Sequence, residues 1–440
     1  MQSVRLANAW LALRTNFWFV PILTVMAALV ASIVFPEIDR FIGDNILRDL
    51  RFLSTAEANS AQTILSTIAG SLITIAGVTF SITVVGLTLT TSQFGPRLLN
   101  TFMRDTVNQF VLGYYLATAS YCLIILQTIR EDFIPNVSIA LAIIFAIMSF
   151  FILIYFIHHI ASMIKVDVVI AQVDDNLKHT ISSMFPEEAP RGQPGRSVSD
   201  DLPEHFERDA IALSTQKTGY LQGMDIESLL WLATEQDIVL SFVDKPGSYI
   251  VGGSTIAFAW PPQTAMANAK DIEAGIDRAV IVGYERTPTQ DMEYCIDQLV
   301  EIALRAFSPG INDLFTGLSC IDRLGGDLSL LATRQFPENE RRDSDGNIRL
   351  VWSASRFEGF LDAAFNSIRQ NAAQNVAVYV RLLEALRTIA NHLRRPEDAL
   401  AVKKHVVMVE RMAQQHIIEP HDLEDIQERK QWAVTSLNRF

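Results

Sequence analysis

Between Glu57 and Arg97 the chain carries no charged side chain. The stretch Ala58 to Pro96 reads ANSAQTILSTIAGSLITIAGVTFSITVVGLTLTTSQFGP, apolar enough to enter a bilayer and rich in Gly, Ser and Thr. A hydrocarbon core of about 30 Å needs about 20 helical residues. The uncharged stretch is well beyond that, so a helix here either tilts strongly or projects one end into water. On a helix, Thr63, Thr67, Gly70, Thr74, Gly77, Ser81, Val84, Thr88 and Thr91 fall on one face at alternating steps of three and four. Lipid does not require a face of small hydroxyl residues. A close-packed helix neighbour or a water-filled pathway does.

Three further apolar runs accompany it. Phe17 to Phe35 is long enough to span and has Trp18 at its edge as an interfacial anchor. It reads as a span rather than a signal peptide, because more long apolar runs follow and no small-x-small cleavage site is evident. Phe110 to Thr128 holds Tyr114, Tyr115 and Tyr121, and Val137 to Ile164 is the most hydrophobic. Residues 1–165 carry 8 acidic and 9 basic side chains, against 41 and 27 in residues 166–440. The second part therefore carries a net charge of −14 and the first +1, which together give the formal −13. The first part is a sparsely charged membrane block with spans at 17–35, 63–91, 110–128 and 137–164. The second is an acidic soluble block, which argues against nucleic acid as a partner.

Four spans put both termini on one side. Arg5, Arg14, Arg97, Arg104, Lys165 and Lys178 flank the spans there, and Arg40, Arg48, Arg51 and Arg130 lie on the other side. The positive-inside rule then places both termini in the cytoplasm. Cys122, Cys295 and Cys320 have neither disulfide-framework nor metal-ligand spacing, which agrees with a reducing compartment.

The soluble block divides by composition. Residues 166–203 read as a helical extension followed by a Pro- and Gly-rich linker. Residues 204–285 form a β-rich module, with strands expected at 210–213, 237–243, 248–251, 255–260 and 279–284 and a helix at 225–235. The pattern PGSYIVGGSTIAFAW resembles the tight hairpin of barrel-sandwich modules, without the exposed lysine that a biotinyl or lipoyl carrier needs. Residues 286–352 form an α+β segment. In it, Asp297, Glu301 and Arg305 follow at steps of four on a helix, SPGIND (308–313) makes a turn, Asn312 or Asp313 caps the next helix, and Gly325-Gly326 ends that helix. A charged loop and a strand at 348–352 follow. Residues 353–440 are a helical bundle broken near Pro396 and Pro420.

No nucleotide-binding, hydrolase, zinc or redox signature is present, so neither a cofactor nor an enzymatic activity is expected. His158-His159 sits near Lys165 and reads as interfacial. His392, His405, His416 and His421 read as surface residues. The cluster Asp297, Glu301, Arg305, Asn312 and Asp313 is the one polar set that could hold a cation or act in acid–base chemistry, and a salt-bridge ladder is its simpler reading.

Two stretches, SLITIAGVTFSITVVGLTLTTSQFGPRLL (71–99) and DQLVEIALRAFSPGINDLFTGLSCIDRL (297–324), resemble together a bacterial family of predicted multi-pass inner-membrane proteins that carries a domain of unknown function. The resemblance runs from about residue 10 to residue 430. Members often have Pro after Asn-Asp, where this chain has Leu314. It implies the architecture and an inner-membrane address, and no activity.

The expected fold is thus an α-helical membrane domain of four spans plus a cytoplasmic α+β domain with a small β-module and a helical C-terminal bundle. The expected function is a homo-oligomeric ion channel or passive pore, with the second span lining the path and the bilayer, other copies and ions as partners. Gly70, Gly77 and Gly86 would permit close approach, and hydroxyls of Thr67, Thr74, Ser81 and Thr88 would partly replace an ion's water. The alternative is a membrane-anchored scaffold or sensor whose soluble domain binds a ligand or partner protein.

Overall fold

The computed structural model describes residues 17–42, 58–95, 105–131, 133–163, 165–188, 206–353 and 356–439. The loop holding Arg97 and Arg104 and most of the expected linker lie outside the described residues, as do Arg5, Arg14, Arg48 and Arg51. The chain forms two compact units, residues 1–169 and 170–440.

Among the described residues, four helices of the first unit are long and apolar enough to cross a membrane. They are α1 (Phe19–Ile42), α2 (Ala58–Phe94), α3 (Thr106–Thr128) and α4 (Asn136–Met163). α3 is the central one and packs against the other three. Gly113 lets α1 approach it, since a Cβ there would lie 2.9 Å from Pro21 Cα. With no water in the hydrocarbon, each polar group needs a partner inside the protein. The tyrosines of α3 find them on α4: Tyr114 donates to the Phe145 carbonyl at 3.0 Å and Tyr121 to that of Ser138 at 3.1 Å. Helix ends are treated likewise. Asp39 of α1 accepts from the Val137 and Ser138 amides at 2.7 and 3.0 Å, capping α4 from a neighbouring helix. Asp105 caps α3 through the Val107 and Asn108 amides.

After Lys165 comes α5 (Val166–Met184), then a short turn, α6 (Phe206–Asp209). The β-module contains β1 (Ile211–Ser214), β2 (Gly219–Met224), α7 (Ile226–Glu235), β3 (Val239–Phe242), β4 (Tyr249–Ile250), β5 (Thr255–Trp260), α8 (Pro262–Ala267), α9 (Ala269–Ala279) and β6 (Val280–Gly283). Then come α10 (Met292–Ala306), α11 (Leu314–Ala332), β7 (Glu340–Arg342) and β8 (Ile348–Trp352). The chain closes with α12 (Phe357–Asn371), α13 (Val376–His392), α14 (Pro396–His416) and α15 (Pro420–Leu437). A five-stranded sheet has the order β1-β5-β3-β8-β7, in which only β3 and β8 are parallel, and a three-stranded sheet has the order β4-β2-β6. Leu240, Ile256, Ala259 and Leu350 of the larger sheet share a core with Leu229 of α7 and Ile272 and Ile276 of α9.

The expected hairpin over 248–260 does not form. β4 pairs with β2 in the small sheet, whereas β5 pairs with β1 and β3 in the large one. Gly253, at φ +87°, turns the chain from one sheet to the other. β2 escaped the sequence pattern because its glycines break the alternation. Gly219 is needed there, since a Cβ would lie 2.6 Å from the Gly283 carbonyl oxygen across the sheet. α8, α9 and β7 were likewise unexpected. Gly325-Gly326 does not end a helix, for α11 runs through both. Gly325 instead lets α13 approach, since a Cβ there would lie 2.9 Å from the Ala385 Cβ.

Candidate functional site

The uncharged stretch is one 37-residue helix, α2, whose rise of 1.5 Å per residue makes it roughly 55 Å long. Its contacts with the rest of the unit lie along Ala61, Leu65, Ala69, Leu72, Ala76, Thr79, Gly86 and Thr90, which are all buried. The hydroxyl stripe lies roughly opposite that seam, one or two residues further along at each turn. Thr63, Thr67, Gly70, Thr74, Gly77, Ser81, Val84 and Thr88 are exposed, and Thr91 is half-buried. At Gly70 and Gly77 an added Cβ would meet nothing within 4 Å. The spans of the same chain therefore leave this seam uncovered.

Its hydroxyls are not idle. Thr67 donates to the Thr63 carbonyl at 2.7 Å, Thr74 to Gly70 at 2.9 Å, Ser81 to Gly77 at 2.9 Å and Thr88 to Val84 at 2.9 Å. Thr63 and Thr91 bond back in the same way to Asn59 and Leu87. Each hydroxyl has one hydrogen and two lone pairs. With the hydrogen given to the backbone, the outward surface of the stripe is made of acceptors.

The second polar set does not converge. Asp297 accepts from Arg286 at 2.7 Å, and Arg286 also holds Asp291 at 2.6 Å. Glu301 faces Arg305 at 3.6 Å within α10. Asp313 caps α11, accepting from the Thr316 amide at 3.2 Å and its hydroxyl at 2.6 Å. Asn312 stands at φ +50° at the exposed tip of the SPGIND turn, beside Ile311 and the exposed Phe315. With Asn371, Gln374 and Asn375 it lines a cavity of about 430 Å³, floored by Ala306 and Phe307. Ala373, also in the lining, has φ +48° and is held by a 2.8 Å hydrogen bond from Tyr379 to its carbonyl. The cavity thus offers uncharged amides on an apolar floor.

A family described as Predicted membrane protein (DUF2254) matches residues 14–388, which include both the stripe and the SPGIND turn. The chain belongs to this family. It is 30% identical over 411 residues to uncharacterized proteins of Mycobacterium bovis and Mycobacterium tuberculosis, covering 92% of this chain and 77% of theirs. No solved structure matches it. The family description agrees with the four candidate spans and carries no activity.

Other ionisable groups of this family member fall outside the expected set. His405 is not a surface residue. It is fully buried against the Phe365 ring, with Asp362 3.2 Å away, and burial holds it below the usual imidazole range. His159 pairs with Asp105 at 2.7 Å, tying the end of α4 to the start of α3. Burial pushes the thiols of Cys295 and Cys320 up to about 11 and about 12, so neither is a ready thiolate. The group that sequence reasoning missed is Asp327, fully buried on α11. Its signal was an acid inside the apolar run LGGDLSLL, four residues after Arg323, a spacing that reads as an ordinary intrahelical pair.

Proposed function

We propose that this chain forms a homo-oligomeric passive pore for ions in the bacterial inner membrane. In this reading both termini are cytoplasmic, α2 helices of several copies line the path, and the soluble unit assembles and gates it. The observation that carries the reading is the uncovered stripe of α2. Small residues recur at steps of three and four over 29 positions from Thr63 to Thr91, on the face opposite the intramolecular seam. A 3.5-residue period kept over four heptads is the pattern of helices that pair along their length. Glycine and hydroxyl residues are what membrane helices use to approach closely. A wall of acceptor oxygens favours cations over anions, because it presents lone pairs and no free hydrogen.

Recording from purified protein in planar bilayers under a salt gradient tests this. Discrete conductance with a reversal potential on the cation side is expected. Protein that is strictly monomeric in mild detergent, or that never conducts, would sink the proposal. The amide-lined cavity at the SPGIND turn favours a second reading, a membrane-anchored sensor of an uncharged polar ligand. Under that reading Asn312→Leu abolishes the cellular response, while Gly77→Leu leaves it intact.

A further inference from the structure

Asp174 of α5 and Asp327 of α11 meet inside the soluble unit, with 1% and 0% of their surfaces exposed. One oxygen of Asp174 is served twice, by Lys178 Nζ at 2.7 Å and by an Arg323 guanidinium nitrogen at 2.8 Å. Its other oxygen and both oxygens of Asp327 receive no hydrogen from any donor among the described residues. The group within hydrogen-bonding reach of Asp327 is the Asp174 carboxyl itself. Two carboxylates repel, and a buried one without a donor is costly. The contact becomes a bond when one of the two carries a proton.

We propose that Asp174 and Asp327 share one proton and form a clasp that holds α5, the helix directly after the fourth span, onto the soluble bundle, and that the clasp loosens when the proton leaves. α5 has little else of this kind. Its other contacts are apolar: Val169, Ile170, Val173, Leu177 and Ile181 are buried, Phe185 just past its end packs against Phe336 and Phe360, and Thr180 meets Cys295 of α10 at 3.7 Å. The proposal stands whether or not α2 lines a path.

The charged neighbours are accounted for. On α5, Asp175 and His179 are exposed, and Lys178 serves Asp174. On α10, Cys295 is buried and stays a thiol, while Asp291 and Asp297 are held by Arg286. On α13, Arg381 is taken by Asp322 and by Glu384. On α12, Glu358 pairs with Lys404, Asp362 faces His405, and Arg369 donates to Asn366. Burial first, and then the charge of Asp174, pushes the Asp327 carboxyl up to about 8, against the pull of Lys178 and Arg323. Once α5 lifts away, a hydrated carboxyl titrates near about 4. Between those values the closed form binds the extra proton. Opening therefore grows as pH rises, by up to about tenfold per pH unit, and levels off above the upper value.

Amide hydrogen exchange of α5 in the full-length protein, in detergent from about pH 6 to about pH 9 and corrected for intrinsic rates, reads this opening. Protection of 173–183 is expected to fall with pH and to level off near 8. Asp327→Asn supplies the missing hydrogen permanently, so its protection should be high and flat. Asp174→Asn removes the neighbouring charge and should move the fall to lower pH. A flat wild-type profile, or a wild-type slope in Asp327→Asn, overturns the clasp. Should that variant not fold, an unmoved midpoint in Asp174→Asn overturns it. Infrared spectroscopy of the wild type needs no variant: a protonated-carboxyl carbonyl band present near pH 7 must disappear near pH 9, and its absence at the lower pH also overturns the proposal.

Discussion

Glycines mark two kinds of helix face in this molecule, and they behave in opposite ways. In the closed kind the chain's own fold has used the missing Cβ. Gly325 of α11 sits against Ala385 of α13, and Gly113 of α3 against Pro21 of α1. In the open kind, Gly70 and Gly77 of α2 face empty space. The spacing arguments that single out a glycine are the same in each case. What differs is whether a second element of the same chain has arrived. A closed seam reports on folding of the protomer. An open seam contributes nothing to that folding, so substitutions there read out what happens between the protomer and its surroundings.

The comparison can be broken by substitution. The largest loss is expected for Gly325→Val, where the obstructing atoms are Cβ and Cα of Ala385 and cannot swing away. Destabilisation of about 3 kcal/mol is expected by urea unfolding followed through tryptophan fluorescence. Gly113→Val should follow at about 2 kcal/mol, seen as a lowered Tm in detergent, since Pro21 fixes the backbone it strikes. An unchanged Tm in either would mean that these seams are looser than their geometry. Gly77→Leu should leave protomer stability within about 0.5 kcal/mol of wild type, yet abolish oligomers in native mass spectrometry and any conductance. If its main effect is unfolding, the seam is closed after all. Thr74→Val should be the mildest. It keeps the shape, removes one acceptor, and should shift the cation-to-anion permeability ratio by less than about tenfold with no change in assembly.

The membrane part was the more legible because its signal is one-dimensional. Apolar runs between charges reveal spans without reference to anything distant; outside that part, Asp313 as a helix cap is likewise decided within four residues. The β-module was less so. β4 and β5 lie either side of a short glycine turn and look like one hairpin, yet each pairs with strands elsewhere in the chain. Strand partners are a matter of sheet order, which local alternation does not encode. In the polar set on α10, Arg286 takes Asp297 out of the expected ladder, a contact made by the loop before the helix rather than by the helix face.

For α2, the sequence by itself determined that residues 58–96 are uncharged, and that a helical span over 63–91 is striped with small hydroxyl residues. Hydropathy and periodicity are properties of neighbours along the chain. Only the tertiary structure decided which face of that helix the other spans cover, and it left the stripe uncovered. It alone brought Asp174 and Asp327 together as well. Burial and pairing depend on which distant segments meet, and an acid in an apolar run has no meaning until its neighbour in space is known.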